Sequence, residues 1–355
     1  ALARQGARGI TAMLPTEDAL WVGNELTRRF GLDFWQFTLT ATDANRFVIR
    51  IAREITQRPK ILVMNYCYHG SVDETLIALH DGVAGAREGN VGPPVDPTVT
   101  TKVIEFNDLN ALERALAPRD VACVLLEPAL TNIGIVLPDE GYHAALRELT
   151  RATDTLLVID ETHTFCAGEG GYTRAYDLQP DILTIGKAIA GGMPAGAFGV
   201  TKNVAERMFT RENADYIDVG GIGGTLAGNA LSVAAMRATL ENVLTADAFA
   251  RMIPLAEKWA RGVADVIEEF QLSWHVTQLG ARAEYRFMSQ PPRNGGQAAA
   301  AHDEALEQYM HLFALNRGIL MTPFHNMALM SPATTLSDVN YHTLVFGEAV
   351  ATLLA

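Results

Sequence analysis

Lysine is scarce in this chain of 355 residues: Lys60, Lys102, Lys187, Lys202 and Lys258 are the whole set. Lys and Arg together number 28 against 41 Asp and Glu, which leaves a net charge of −13, and no basic run occurs. A general nucleic-acid binder or an acidic-membrane binder needs a basic face, so neither is expected. Cysteine is also rare. Cys67, Cys123 and Cys166 are odd in number, widely spaced and without a CxxC pair. That argues against a disulfide framework and a zinc site, and fits small buried residues in a reducing cytoplasm. No apolar run approaches the length of a membrane span, and no signal peptide is visible. The chain begins at Ala1 rather than Met, so a preceding or targeting segment stays open. A GxGxxG fingerprint and a P-loop lysine are both missing, so neither a dinucleotide site nor an NTPase is supported.

Hydrophobic residues are 48% and charged residues 19%, the balance of a core-rich globular protein. Apolar runs alternate with amphipathic stretches. Strands are expected at Ile61–Asn65, Val121–Glu127, Thr155–Asp160, Ile182–Ile185 and Ala197–Val200, several of them continuously apolar, as in parallel strands covered on both faces. Ala44, Phe47, Val48, Ile51, Ala52 and Ile55 recur at helical spacing, and a second helix is expected from Asp139 to Thr153 behind Pro138. This is the pattern of a large, doubly wound, mainly parallel α/β domain over residues 1–240. Residues 241–355 change character. A long helix from Ala246 to Phe270 leads to alternating strands at Trp274–Val276 and Arg282–Met288 and a turn or loop at Pro291–Gly296. A helix from His302 to Asn316, a short strand at Gly318–Thr322 and a closing helix from Asp338 complete a smaller α+β domain.

Two residues carry the chemistry. Asp160 ends one apolar run, and Lys187 lies just past another, between ILTIG and AIAGG. A carboxylate and an amine at strand ends are what pyridoxal phosphate requires. The amine forms a Schiff base with the aldehyde, and the carboxylate holds a proton on the ring nitrogen so that the ring accepts electrons. Apolar surroundings disfavour the ammonium form, which helps an amine act as nucleophile and base. A lysine snorkelling from a strand end is the plain alternative, and Asp160 and the flanking glycines decide against it.

Three further motifs fit the same ligand. Thr40-Ala41-Thr42 precedes the Ala44–Ile55 stripe, where hydroxyls and free N–H groups at a helix N-terminus make an anion site or, more simply, a cap. Tyr68-His69-Gly70 follows the run ILVMN, so Tyr68 can stack on a flat ring; His69 is either a loop histidine or a base. Gly220–Asn229 (GGIGGTLAGN) lets backbone approach a ligand and offers the Thr225 hydroxyl.

Taken in order, these motifs resemble the class III, fold-type I, pyridoxal-phosphate-dependent aminotransferases, a group that includes glutamate-1-semialdehyde aminomutase. The resemblance covers nearly the whole chain. It implies that Thr40, Ala41 and Thr42 hold the phosphate and that Tyr68 and His69 line the ring. It further implies that Asp160 with Thr162 sits beneath the ring and that Lys187 carries the cofactor. Thr225 in Gly224-Thr225-Leu226-Ala227-Gly228-Asn229 is implied to face the partner's phosphate in a homodimer. Ala41 stands where the family has Gly, and Thr162 where it has Val. The phrases ITAMLPTEDALWVGNEL, TATDANRF and PPRNGG with TPFHNMALMSPATT look similar to aminotransferases of aromatic β-amino acids such as β-phenylalanine, with a keto acid such as 2-oxoglutarate or pyruvate as acceptor. An aminomutase or racemase, a pyridoxal-phosphate-binding protein without turnover and, more distantly, a nicotinamide oxidoreductase are the rival readings. Family members carry a longer segment before the phosphate motif. For a substrate carboxylate the candidates are Arg286, Arg293 and His325; Arg317, following a helix, reads as an ordinary cap.

Overall fold

A computed structural model describes residues 1–9, 14–92, 95–209, 220–322 and 325–355. The phrases ITAMLPTEDALWVGNEL and TPFHNMALMSPATT therefore fall partly outside the described residues, at 10–13 and 323–324.

The strands in chain order are β1 Phe34–Thr38, β2 Lys60–Met64, β3 Ile77–His80, β4 Val83–Ala86, β5 Thr101–Ile104, β6 Val121–Leu126, β7 Leu156–Asp160, β8 Ile182–Ile185, β9 Gly196–Val200, β10 His275–Leu279, β11 Arg282–Arg286 and β12 Met327–Leu329. Seven form one sheet in the order β1-β9-β8-β7-β6-β2-β5. β5, β2, β6, β7 and β8 pair in parallel, and β9 runs antiparallel to both β8 and β1. Every residue of β6, β7, β8 and β9 is buried, which explains their unbroken apolar sequences. Because the pairing is parallel, the chain leaves β2, β6, β7 and β8 on the same edge of the sheet. That edge gathers Tyr68-His69-Gly70, Glu127, Asp160 and Lys187.

The helix Ala41–Thr56 covers one face of the sheet. Thr40 caps it, its Oγ1 accepting from the Asp43 amide at 3.1 Å, and Gln57 ends it at φ 57°. Its stripe Ala44, Phe47, Val48, Ile51 and Ala52 is buried against β6, β8 and β9. One apolar cluster joins this stripe to β2, β6 and β7 and, through residues on both faces of those strands, to Leu112, Leu116 and Leu146. A second cluster joins Val22 and Leu26 of the helix Glu17–Phe30, Leu183 and Ile185 of β8, and Trp259 and Tyr285 from the last third of the chain.

The antiparallel sheet β10-β11-β12 pairs His275 with Arg286 and Glu284 with Met327. The helix Ala246–Glu269 packs on it and against the helix Leu336–Leu354. The two helices approach so closely at Gly262 that a Cβ there would collide with Thr343. The closing helix starts from a reciprocal Thr335–Asp338 capping box.

Three expectations are corrected. Residues 319–322 are not a strand; the strand lies later, at Met327–Leu329, where the chain can pair with β11. The helix expected from Asp139 begins at Tyr142, because Gly141 at φ 76° takes the N-cap. The Pro291–Gly296 turn runs directly into a short helix, Gly295–Ala300, capped by the Asn294 side chain. No helix among the described residues is long and apolar enough to cross a membrane.

Candidate active site

At the carboxyl edge of the parallel strands the chain lines an open cleft of about 990 Å³, walled by Leu39–Thr42, Asn45, Tyr68–Gly70, Glu127, Asp160, Thr162, His163, Lys187 and Gly192–Ala195. Of the residues expected at the cofactor, Thr40, Ala41, Thr42, Tyr68, His69, Asp160, Thr162 and Lys187 meet here.

Asp160 is the floor. Its carboxylate is 3% exposed. Oδ2 accepts from Asn45 Nδ2 at 2.9 Å and lies 2.9 Å from His69 Nδ1; Oδ1 accepts from the Thr162 amide at 3.0 Å. Burial alone would push this carboxyl up, but the hydrogen bond and charge of His69, with the Thr162 and Asn45 donors, hold it well below the usual range. Burial likewise opposes charge on His69, and Cys67 and then Asp160 outweigh it, raising the imidazole well above its ordinary value. The pair is thus an anion and a cation held together out of water. Asn45 is itself held, its Oδ1 accepting from Thr184 Oγ1 at 2.8 Å and its Nδ2 also reaching the His69 carbonyl at 3.1 Å. A path of hydrogen bonds therefore runs from β8 through the helix to the carboxylate on β7.

Lys187 follows β8 in a left-handed conformation, φ 45°. Its side chain is exposed to the cleft, so the apolar residues expected to desolvate the amine surround its backbone instead. Gly186 allows close passage: a Cβ there would lie 2.9 Å from the Ala41 Cβ. Gly70, at φ 82°, is pressed onto Thr42, where any Cβ would strike the threonine hydroxyl. The helix N-terminus, its two threonines and these two glycines make a cradle. Tyr68, 40% exposed, borders the same space.

The arrangement fits pyridoxal phosphate. A buried carboxylate held ionised calls for a protonated ring nitrogen, the exposed amine for an aldehyde, and the capped helix N-terminus for a phosphate. Among the described residues of the wall three polar atoms remain sealed without a partner, His69 Nε2, Glu127 Oε1 and Thr162 Oγ1, so the wall has hydrogen-bonding capacity to spare for a ligand. Glu127 is 2% exposed, and burial raises its carboxyl despite the hydrogen bond from Thr131.

The substrate candidates are not brought to this cleft. Arg293 is exposed, pairs with Asp139 and lines a separate groove with Glu105 and Asn107. Arg286 is buried, donating to the Ala298 carbonyl at 3.0 Å and lying 3.5 Å from Glu307, which makes it part of the packing. His325 lies 3.4 Å from Glu284 and lines a small cavity with His311 and His342. Arg317 is the helix-end cation expected, donating to the Phe313 carbonyl at 3.3 Å and lying over the Phe313 ring. Thr225 is exposed and does not border the chain's own cleft. Sequence reasoning passed over Asn45, Glu127, His163 and Thr184. Asn45 had a signal, since it stands one helical turn after Ala41 on the face that looks at Asp160.

Comparison with known proteins agrees with the fold and with the cofactor. A family profile described as Aminotransferase class-III matches residues 1–346. The chain is 32% identical to a glutamate-1-semialdehyde 2,1-aminomutase of Methanosphaera stadtmanae over 314 residues, 87% of this chain and 72% of that one. It is 51% identical to a glutamate-1-semialdehyde-aminomutase from Pseudomonas aeruginosa, whose crystal structure in complex with PMP superposes with a TM-score of 0.96 over 99% of this chain and 79% of that chain. A β-phenylalanine aminotransferase from Variovorax paradoxus, 24% identical, shares the fold with a TM-score of 0.85 over 99% of this chain and 78% of its own. The fold is that of a fold-type I α/β enzyme of the transferase kind that works with pyridoxal phosphate. The chain belongs to the class-III aminotransferase family.

Proposed function

We propose that the enzyme moves an amino group between two carbons of one small substrate, in the manner of a glutamate-1-semialdehyde aminomutase. The observation that carries this is the 51% identity, over 99% of the chain, to the Pseudomonas protein of that name. It displaces the preference for aromatic β-amino acids, whose support is a likeness at 24% identity, a level that speaks for fold alone.

When bound, the cofactor supplies the electron sink. Lys187 would hold the cofactor's aldehyde through its amine and would serve as the group that moves a proton at the substrate carbon. Asp160, kept ionised by His69, Asn45 and the Thr162 amide, would hold a proton on the cofactor's ring nitrogen. Thr40, Ala41 and Thr42 receive the phosphate at the helix N-terminus. Tyr68, which borders the cleft, would pack on the cofactor, and Thr162 would offer it an unpartnered hydroxyl. The Thr225 loop, exposed and away from its own cleft, suits a homodimer in which each subunit completes the phosphate site of the other; sedimentation as an active monomer would refute that.

Glutamate 1-semialdehyde, given alone to cofactor-loaded enzyme, should yield 5-amino-4-oxopentanoate with no keto acid consumed. Glutamate formed from β-phenylalanine and 2-oxoglutarate, with no isomerised product from the semialdehyde, would replace this reading by amino transfer between two substrates. Absence of both products would leave a binding protein or a racemase.

A further inference from the structure

Behind the cleft wall runs a line of ionisable side chains that the roles above leave without a task. His325 Nδ1 lies 3.4 Å from Glu284 Oε1. Glu284 Oε2 accepts from Arg282 Nη2 at 3.1 Å, and Arg282 Nη1 donates to His163 Nδ1 at 3.5 Å. Arg282 is 2% exposed and Glu284 1%, and the Thr131 carbonyl fixes the guanidinium further at 2.8 Å. His163, at the far end, lines the cleft with Lys187.

Chemistry sets the sense of the last bond. A guanidinium has only donors and keeps its proton in proteins, so the His163 Nδ1 it faces is the bare nitrogen. A neutral imidazole then carries its proton on Nε2. The surroundings agree: burial first, then the cations Lys187 and Arg282, and His325 after them, push the His163 pKa down to about 3, with only Asp160 acting the other way.

We propose that His325, Glu284 and Arg282 form a relay that locks His163 as a neutral, Nε2-protonated imidazole beside Lys187, so that Lys187 works next to a fixed donor and not next to a second cation. Glu284 balances the buried arginine, and His325 orients the carboxylate through its other oxygen. His163 is a positioning residue here, acting on Lys187 through charge. A histidinium in that place would oppose a proton on the Lys187 nitrogen, because like charges a few ångströms apart disfavour each other. The proposal rests on Lys187 being the cofactor lysine.

The test begins with protein free of cofactor and labelled with nitrogen-15 in its histidines. The His163 ring, assigned by its loss in His163→Gln, should show the Nε2–H tautomer and should not titrate from about pH 5 to about pH 9. The charge-balanced double variant Arg282→Met with Glu284→Met should free Nδ1 and raise the His163 pKa from about 3 into a range where the ring can be seen to titrate, while burial and Lys187 still hold it below 6.5. Arg282→Lys, which keeps a donor and a charge, should preserve the lock and serves if the double variant fails to fold. With cofactor bound, the absorbance of the wild type should change with pH in one step, and that of the double variant in two. An Nδ1–H tautomer, or titration near 6.5 in the wild type, overturns the relay. A single-step profile in a double variant whose His163 does titrate overturns its action on Lys187. Borohydride fixing the cofactor to another lysine would remove the underlying assignment, while the titration of the cofactor-free protein still decides the relay.

Discussion

Replacing Asn45 by alanine tests how the carboxylate at the centre of the cleft is held. Asn45 is fully buried, and its amide group serves three partners: Asp160 Oδ2 at 2.9 Å, the His69 carbonyl at 3.1 Å and Thr184 Oγ1 at 2.8 Å. The variant strands the carbonyl and the hydroxyl out of water, at about 1–3 kcal/mol each. Asp160 keeps His69 and the Thr162 amide but loses one charge-assisted bond, worth about 1.5–3 kcal/mol, or about 1–2 pKa units upward. Unfolding by urea should therefore show a loss of about 2–6 kcal/mol from the two stranded groups alone, a large part of the roughly 5–15 kcal/mol that holds a typical protein folded. Cofactor affinity should fall about tenfold, since a less firmly ionised carboxylate pairs less well with a ring cation. Thr184→Val is the control. It breaks the outer bond without touching Asp160, so it should cost about 1 kcal/mol and leave cofactor affinity within about threefold. If Asn45→Ala unfolds at the wild-type urea midpoint and binds cofactor normally, the path from β8 to Asp160 does not position the carboxylate.

Asp160→Asn keeps the shape but not the charge, and should retain some cofactor while turnover falls by about two orders of magnitude or more, measured in a steady-state assay. Gly70→Ala puts a methyl against Thr42 at a φ of 82°, a conformation L residues adopt only at a cost, and should weaken cofactor binding in an equilibrium titration much more than it lowers the melting temperature. Acid should destabilise the fold through His342, whose pKa burial lowers to about 4 from 6.5. Between those values the unfolded chain binds the proton and the folded one does not, so stability falls as pH drops, by about 1.4 kcal/mol per pH unit for that group. His342→Phe, which fits a site beside Trp259 and Phe346, should flatten the dependence by that amount in urea unfolding at several pH values.

The sheet was legible where burial leaves a simple mark. β2, β6, β7 and β8 are covered on both faces, so their sequences are apolar runs that only a strand of that length explains. β1 left no such mark. FWQFT is half exposed along its length, and it pairs with the antiparallel β9, whose direction no local pattern announces. β5, TKVI, is an edge strand with a lysine in it, where negative patterning against aggregation hides the strand signal. The strand expected at 318–322 failed for a related reason. GILMT has strand composition, but β11 is met by the chain several residues later, and pairing follows register with a neighbour more than propensity.

The site divides along the same line. Asp160, Lys187 and the Thr40–Thr42 cap could be read from sequence because each sits at an element end, and element ends are what punctuation in a sequence reports. Arg286 and Arg293 could not, because an arginine looks the same whether it closes a surface pair with Asp139, braces a buried glutamate or faces a ligand. Asn45, Glu127, Thr184 and His163 depend on contacts between residues far apart in the chain, such as the 139 positions separating Asn45 from Thr184. Their significance is a property of pairs. A buried asparagine is unremarkable until a threonine and an aspartate are found on either side of it, and a histidine after Thr162 is neutral or charged according to an arginine on β11. The residues proposed to bond the cofactor are thus placed by local structure, whereas those around them that bear on protonation within the cleft are placed by topology, which brings β7, β8, β11 and the helix Ala41–Thr56 together.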